Sequence, residues 1–371
     1  MKKERYHHFD FLRAIAVLLG IPLHACLAYG EIEYHWVIKD MSHSYIIDIM
    51  LDFLRLFRMP LFFIISGFFS HLIINKGNFL KKRTKRLLYP MLVFFLLLII
   101  PLKLVWLAME NPAKVFSFDY KFISNYVVDN LFAGPTQDKF RHDPNWGHLW
   151  FLMYLYLFSL LSVPLSKVKI FKFNNIKSLT IFSMFLTYLS YFLMKSHWVD
   201  APFHMYPTIS ISAYYGIFYF FGWMLFKFKD FTLSKSKSIW LIIIGCTCAI
   251  ARSFIEVDSH LDIFNLKADA WTFTPLAVIS TWSLVLGQIF LFKHLFKKAN
   301  KKVTYFVEGS YFIYLIHLPI IIVLQIMIAP ANLSWVIKFP LVTLLAITFS
   351  VLIYKFAVRG KFTEKFLNGA L

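Results

Sequence analysis

An arginine and a histidine share one predicted face of an apolar stretch near the N-terminus. Arg13 and His24 are eleven residues apart. At about 100° per residue both lie on one side of a helix, roughly 16 Å apart along its axis. Ionisable groups inside a membrane are costly unless they face a bundle interior or a cavity. His24 is therefore a candidate general base, because imidazole titrates near neutral pH. The alternative is a histidine that only packs between helices.

The next apolar stretch carries a second charged set, formed by Asp52, Arg55 and Arg58. Asp52 is a candidate to orient His24 and keep it basic, or else to pair with Arg55 one helical turn away. Arg58 could hold an anion or a developing oxyanion, and Arg55 could bind a carboxylate in a forked geometry. Catalysis is thus predicted to involve Asp52 and Arg58 together with His24.

Further polar and aromatic residues recur later in the chain. Ser310, Tyr314 and His317 follow one another at a helical spacing of four and three residues. They form a stripe that either lines the same cavity or joins helices to one another. His148 and Trp150 end a long loop that is predicted to be external. Their rings suit a sugar ligand, although tryptophan at this depth commonly belongs to the aromatic belt of membrane proteins.

A basic run, KKRTKR, contains Arg83 and Arg86. It could grip the phosphates of a substrate that arrives from the cytoplasm, or it could bind anionic lipid and set the topology. The three cysteines lie in or beside apolar segments and lack the spacing of metal or redox motifs. Neither a disulfide framework nor a metal site is predicted.

Composition identifies the kind of element that must position these residues. Of 371 residues, 59% are apolar, 43 are phenylalanine and 16% are charged, which excludes an ordinary soluble protein of two or three domains. The net charge is +19, but Lys and Arg cluster in short runs between apolar stretches. That pattern is typical of the cytoplasmic loops of a membrane protein and not of a surface that binds nucleic acid.

Ten apolar stretches are long enough to cross a bilayer as helices of about 20 residues. They lie near residues 10–30, 46–74, 88–109, 148–165, 179–194, 209–226, 238–254, 272–292, 304–328 and 335–358. The N-terminus and every second loop are basic, so both termini are predicted to be cytoplasmic. We expect an all-α, polytopic fold in which residues 1–371 form one transmembrane domain. His24 and Asp52 then lie in the outer half of the membrane.

Four segments, in this order, resemble the acyltransferase-3 family of integral membrane acyltransferases. They are Arg13 with ten residues before His24, residues 57–68 (FRMPLFFIISGF), residues 86–90 (RLLYP) and residues 310–319 (SYFIYLIHLP). Within the family the chain is most similar to the branch that succinylates osmoregulated periplasmic glucans, on the basis of residues 18–24 (LLGIPLH), 57–59 (FRM) and 147–152 (GHLWFL). The resemblance covers nearly the whole chain.

The resemblance implies an acyl-CoA-dependent O-acyltransferase of the bacterial inner membrane. It implies succinyl-CoA, or alternatively acetyl-CoA, as co-substrate, no tightly bound cofactor, and a periplasmic carbohydrate as acceptor. Family roles fall on His24 as the essential histidine and on Arg13 and Arg58 as residues of the donor site. Longer members carry an extra periplasmic domain, so this chain is expected to recognise its acceptor with its own loops.

The expected reaction is transfer of an acyl group from acyl-CoA to a glucan hydroxyl, and two alternative functions remain open. Acyl-CoA is expected to enter from the cytoplasm with its phosphates near Arg83 and Arg86, and His24 to deprotonate a glucosyl hydroxyl beside Arg58. One alternative is O-acetylation of lipopolysaccharide or another surface polysaccharide. The other is a transporter whose polar face lines a permeation path. No motif in the sequence specifies an oligomeric state.

Overall fold

The computed structural model is a bundle of α-helices. It describes residues 6–34, 36–110, 117, 119–130, 146–167, 173–194, 199, 202, 205–261, 270–298 and 301–369. Among these residues, ten helical segments are long and apolar enough to cross a membrane, namely His7–Cys26, Tyr45–Ile73, Phe79–Met109, Gly147–Lys167, Ile176–Met194, Ile209–Phe228, Lys235–Leu261, Phe273–Leu295, Val303–Ile328 and Trp335–Val358. The described residues contain no β-strand. The predicted all-α class and its ten spans are therefore confirmed.

Several spans consist of more than one helical element. In chain order the α-helices are α1 (His7–Leu18), α2 (Gly20–Cys26), α3 (Tyr45–Ile73), α4 (Phe79–Arg83), α5 (Tyr89–Glu110), α6 (Tyr120–Asn130), α7 (Trp150–Lys167), α8 (Ile176–Met194), α9 (Ile209–Leu225), α10 (Lys235–Leu261), α11 (Ala270–Leu295), α12 (Lys301–Ile328), α13 (Trp335–Ile353) and α14 (Phe362–Leu367). A π-helical turn, Thr84–Leu88, connects α4 to α5. The first span is divided at Leu19, so α1 and α2 are separate helices.

The bundle packs around α3, which contacts α1, α2, α7, α9, α10 and α11. The helix begins after Ser44, whose side chain accepts a hydrogen bond from a backbone amide of the first turn and so caps the N-terminus. Against α9 the two backbones touch. A Cβ on Gly67 would collide with the carbonyl of Tyr219, and one on Gly222 with the carbonyl of Ile64. Small residues at such crossings permit the close packing that holds membrane helices together.

Prolines inside two spans leave carbonyls without a helical donor, and side chains from other helices donate hydrogen bonds to these carbonyls. Proline has no N–H, so the carbonyl four residues earlier loses its helical partner, and within a membrane that partner must be replaced. Pro60 frees the carbonyl of Leu56, which accepts a hydrogen bond from Thr281 Oγ1 at 3.1 Å. The carbonyl of Arg86, four residues before Pro90, accepts a hydrogen bond from the hydroxyl of Tyr311 at 2.8 Å. These bonds fix how α3 meets α11 and how α5 meets α12.

The short helix α2 is enclosed by α3, α12 and α13. The loop that leads from α2 to α3 is anchored at its middle. The amide of Asp40 donates to the carbonyl of Ala28 at 2.9 Å, and Lys338 of α13 places its Nζ 3.0 and 2.9 Å from the two carboxylate oxygens of Asp40. Asp40 and Lys338 are both buried. This ion pair therefore holds the loop against the end of α13, next to α2.

Candidate active site

His24 lies on α2 with one unused ring nitrogen. Its Nδ1 is buried and has no hydrogen-bond partner among the residues that the structure describes. The centroid of the ring is 5.2 Å from that of His317 on α12 and 6.2 Å from that of Trp36 in the loop after α2. The planes of His24 and Trp36 are inclined by only 15°. The ring is therefore enclosed by aromatic neighbours.

His317 presents a second unused nitrogen. Its Nδ1 lies 2.7 Å from the carbonyl oxygen of Tyr314. Because a carbonyl only accepts, Nδ1 carries a proton, and Nε2 holds the lone pair of the neutral ring. That Nε2 is buried, and within the described part of the chain it has no hydrogen-bond partner. Buried polar atoms are normally hydrogen-bonded. The two facing imidazoles of His24 and His317 thus leave nitrogens available for substrate.

His148 is adjacent to this pair and supports it. Pro319 frees the carbonyl of Leu315 within α12, and His148 Nε2 lies 3.1 Å from that oxygen. The hydroxyl of Tyr314 in turn donates to the carbonyl of His148. The His148 ring is 5.3 Å from His317, so the three histidines form a row with His317 at its centre. His148 ties the start of α7 to the segment of α12 that carries His317.

Arg58 of α3 brings positive charge to the row. Its Nε is buried and has no hydrogen-bond partner in the described structure. A Cβ on Gly20, the first residue of α2, would collide with Nη1 of Arg58 and would lie 3.7 Å from Nε2 of His317. Glycine therefore makes room for a guanidinium beside the imidazole. This environment suits an anion or a developing oxyanion.

Asp52 lies in a different cluster and does not orient His24 in the structure. Its carboxylate pairs with Arg252 of α10 and accepts a hydrogen bond from Ser253 Oγ at 2.6 Å. Arg252 also pairs with Glu256 at 3.3 Å. All four residues are buried. The carboxylate of Asp52 therefore joins α3 to α10.

Arg55 lies between the two clusters. Its guanidinium carbon is 5.7 Å from the centroid of Tyr34. Burial, and next the charge of Asp48, raise the pKa of Tyr34, so this ring is neutral and the contact is a cation–π interaction. Arg55 also lines a small cavity together with Asp52 and Arg252. Arg55 therefore borders the charged cluster of Asp52 and Arg252.

The other arginines predicted to bind the donor are distributed over α1 and the junction of α4 with α5. Arg13 is partly exposed and lies 3.6 Å from Asp10 on the same helix. Arg83 donates from Nη2 to the hydroxyl of Ser70 at 2.6 Å and so is turned toward α3. The side chain of Arg86 is exposed. The structure therefore leaves Arg86 accessible and uses Arg83 to join two helices.

One predicted aromatic residue lies in the core, and two site residues were missed. Trp150 is only 7% exposed and its ring lies 5.4 Å from that of Tyr215, so it packs within the bundle. Two residues were not predicted: Trp36, whose ring lies beside that of His24, and Gln325, which bonds to Trp36 and to the carbonyl of Ala25. Gln325 follows His317 by eight residues on α12, so extension of the polar stripe by two turns could have found it. Trp36 lies in a loop, where periodicity carries no signal.

The ten-span bundle agrees with a sequence comparison that identifies the class of protein. Residues 6–355 match the acyltransferase domain of the acyltransferase-3 family, and the chain belongs to this family. It is a multi-pass membrane protein.

Among characterised proteins, the chain is similar to glucans biosynthesis protein C of Escherichia coli. It is 27% identical to the protein of strain SMS-3-5 and 26% identical to that of strain K12, in both cases over 96% of this chain and 92% of the relative. No solved structure matches the chain.

Proposed function

We propose that the protein transfers a succinyl group from cytoplasmic succinyl-CoA to hydroxyls of periplasmic glucans, in the bacterial inner membrane. Membership of the acyltransferase family supports acyl transfer. The name of the Escherichia coli relatives, glucans biosynthesis protein C, supports a glucan as acceptor. The observation that carries the proposal is the pair of buried imidazoles with unused nitrogens, His24 and His317, beside the guanidinium of Arg58.

In the proposed reaction His24 acts as the general base. It accepts the proton of a glucosyl hydroxyl while the hydroxyl oxygen attacks the carbonyl carbon of the thioester. The new C–O bond forms, the C–S bond breaks, and the proton passes from the imidazolium to the departing CoA thiolate. Arg58 stabilises the oxyanion that develops on the carbonyl oxygen. His317, 5.2 Å away between ring centroids, provides a second imidazole for the same proton.

The charge distribution favours succinyl over acetyl in this proposal. Arg58 lies beside Gly20 and His317, and Arg55 precedes it by three residues, about one turn, on the same helix. A succinyl thioester offers two negative groups, the developing oxyanion and the free carboxylate, and guanidinium binds carboxylate in a forked geometry. An acetyl thioester offers only the first of these. The second arginine therefore matches a dicarboxylic acyl group.

The donor is proposed to approach from the end of the bundle that carries the basic run. Arg86 is exposed there and is available to the phosphates of CoA, while Arg83 lies behind it against α3. Arg13 lies on α1, the helix that leads into α2 and His24. Screening by salt limits the contribution of an exposed arginine. The basic end thus serves to concentrate the donor. In this proposal the basic end faces the cytoplasm, because the sequence predicts cytoplasmic termini.

Mass spectrometry of periplasmic glucans tests the proposal. Escherichia coli cells that lack their glucans biosynthesis protein C would express the wild-type chain, the His24→Ala variant or the His43→Ala variant. His43 is the matched control, since its ring pairs with Glu31 at 2.6 Å in the loop before α3. We expect a succinyl-sized mass increment with the wild type and with His43→Ala, and none with His24→Ala at equal membrane expression.

Each alternative predicts a different result. Unmodified glucans in every strain would refute the glucan assignment, and acetyl or succinyl esters on lipopolysaccharide would then identify a surface polysaccharide as acceptor. Full modification by His24→Ala would refute the role of the histidine. Detergent-solubilised protein that transfers no acyl group from succinyl-CoA or acetyl-CoA to any of these glycans would favour the transporter.

A further inference from the structure

We infer that Trp36 contacts the acceptor sugar and that Gln325 is the positioning residue that holds Trp36 beside His24. The inference rests on the proposed function, because it assigns the acceptor side of the same site. The loop between α2 and α3 places the Trp36 ring 6.2 Å from that of His24, and the two ring planes are inclined by only 15°. Trp36 itself remains partly exposed.

A buried amide determines the position of this ring. Gln325 is 1% exposed and lies on the spanning helix α12. Its Oε1 accepts a hydrogen bond from Nε1 of Trp36 at 2.8 Å, and its Nε2 donates to the carbonyl of Ala25 at 2.9 Å. Both polar ends are therefore satisfied, one by the indole and the other by the residue next to His24. The amide thus links the loop, α2 and α12 at one point.

These contacts differ from those of an aromatic-belt tryptophan. Belt residues lie at the level of the lipid headgroups, whereas the indole N–H of Trp36 is directed to a fully buried glutamine inside the bundle. A second tryptophan, Trp106 of α5, meets the Trp36 ring at 84° with centroids 6.1 Å apart. The two indoles together form an apolar corner beside the imidazole of His24.

Geometry connects this corner to the acceptor. A hydroxyl that gives its proton to His24 must come within about 3 Å of an imidazole nitrogen. The sugar ring that bears the hydroxyl is larger than this distance, so it extends to the neighbours of His24, and Trp36 is the accessible aromatic neighbour. The C–H groups on one face of a pyranose pack well on a flat aromatic surface. Trp36 thereby orients the glucosyl unit and directs its hydroxyl to the base.

Two substitutions of Trp36 separate the aromatic face from the indole N–H. Trp36→Phe and Trp36→Leu both remove the hydrogen bond to Gln325, but only phenylalanine keeps a flat aromatic surface. Initial rates would be measured with the purified full-length protein, succinyl-CoA and unsubstituted periplasmic glucan from Escherichia coli lacking glucans biosynthesis protein C. We expect Trp36→Leu to raise KM for glucan at least ten-fold and Trp36→Phe about three-fold. KM for succinyl-CoA is expected to stay unchanged.

Gln325→Met tests the positioning role. Methionine is close in length and makes neither hydrogen bond. We expect a several-fold rise in KM for glucan, and no further rise when Gln325→Met is combined with Trp36→Leu, because the amide acts through the indole. Equal KM values for glucan in Trp36→Leu and Trp36→Phe would overturn the assignment of the aromatic face. If the rise in KM for glucan in the double variant equalled the product of the rises in the two single variants, the positioning role of Gln325 would be overturned.

A purely structural role would give a different pattern. Lower thermal stability with equal losses in the kinetics of both substrates would overturn the inference while leaving acyl transfer to glucan intact. Failure of the proposed function is read from the wild type alone, as absence of glucan acylation by active, folded protein. The two failures are therefore distinguishable in the same experiment.

Discussion

Replacing Gly20 with alanine is expected to impair catalysis while leaving the protein folded. Gly20 is not among the glycines with positive φ, so alanine fits the backbone, and in helices alanine is favoured over glycine by up to about 1 kcal/mol. The new methyl group would collide with Nη1 of Arg58. That atom is the end of a flexible side chain, so the guanidinium moves and the helices stay in place.

The expected loss follows from the displacement of this one group. Misplacing a catalytic group by about 1 Å costs up to ~100-fold in rate, and complete removal of an oxyanion donor costs about 100- to 1000-fold. We expect kcat of Gly20→Ala to fall about 10- to 100-fold, which corresponds to about 1.4 to 2.7 kcal/mol in the activation barrier. Arg58→Ala is expected to lose more.

Initial rates of succinyl transfer to glucan would measure this loss, with thermal unfolding of the purified protein as the check on folding. Gly216→Ala is the matched control, because its Cβ would meet only Phe158, at 3.5 Å, which is an ordinary contact. Activity of Gly20→Ala within two-fold of Gly216→Ala would refute the reasoning. If Gly20→Ala unfolded at a lower temperature while Gly216→Ala kept wild-type stability, the new methyl group would have displaced the helix and not the guanidinium of Arg58.

Three further substitutions test other parts of the structure. Thr281→Val removes the hydrogen bond to the carbonyl of Leu56 in α3 and is expected to lower the free energy of unfolding by about 0.5–1.5 kcal/mol. Thermal unfolding should show a lower midpoint for Thr281→Val than for Thr281→Ser, which keeps a hydroxyl. Arg252→Gln removes the cation that pairs with the buried carboxylates of Asp52 and Glu256 and is expected to cost about 3–5 kcal/mol. This cost should appear as loss of folded protein in membranes, and wild-type stability would contradict it. Arg86→Gln is expected to raise KM for succinyl-CoA several-fold at low salt only, and a change confined to KM for glucan would refute a donor role.

Most of the histidine row could be predicted because the membrane restricts where polar groups lie. His24, Arg58 and His317 are ionisable residues within apolar stretches, and such residues face the bundle interior. Residue type and hydropathy therefore suffice to propose that they meet. The structure brings them together with His148 and Tyr314, at ring separations of 5.2 and 5.3 Å between neighbouring histidines.

The partner of Asp52 could not be predicted in the same way. Helical spacing identifies neighbours on one helix, and Arg55 is such a neighbour, but it carries no information about which other helix packs against that face. In the structure the carboxylate meets Arg252 of α10. Similarly, the positions of Pro60 and Pro319 in the sequence predict that two carbonyls lack a donor within their own helix. The sequence does not predict which residues from elsewhere in the bundle donate to these carbonyls.

By itself, the sequence determined the class of fold and the chemistry available to it. Continuous runs of about 20 apolar residues span a membrane as helices, since a helix makes all its backbone hydrogen bonds within the segment. Charged residues within such runs face the interior of the bundle. Only the tertiary structure decided which of these residues share a site. It separated Asp52 from His24, placed Trp36 beside the imidazole and placed Gln325 against Trp36. The physical reason is that contacts between helices depend on packing of whole surfaces, as at Gly20 and Arg58, and not on spacing along the chain.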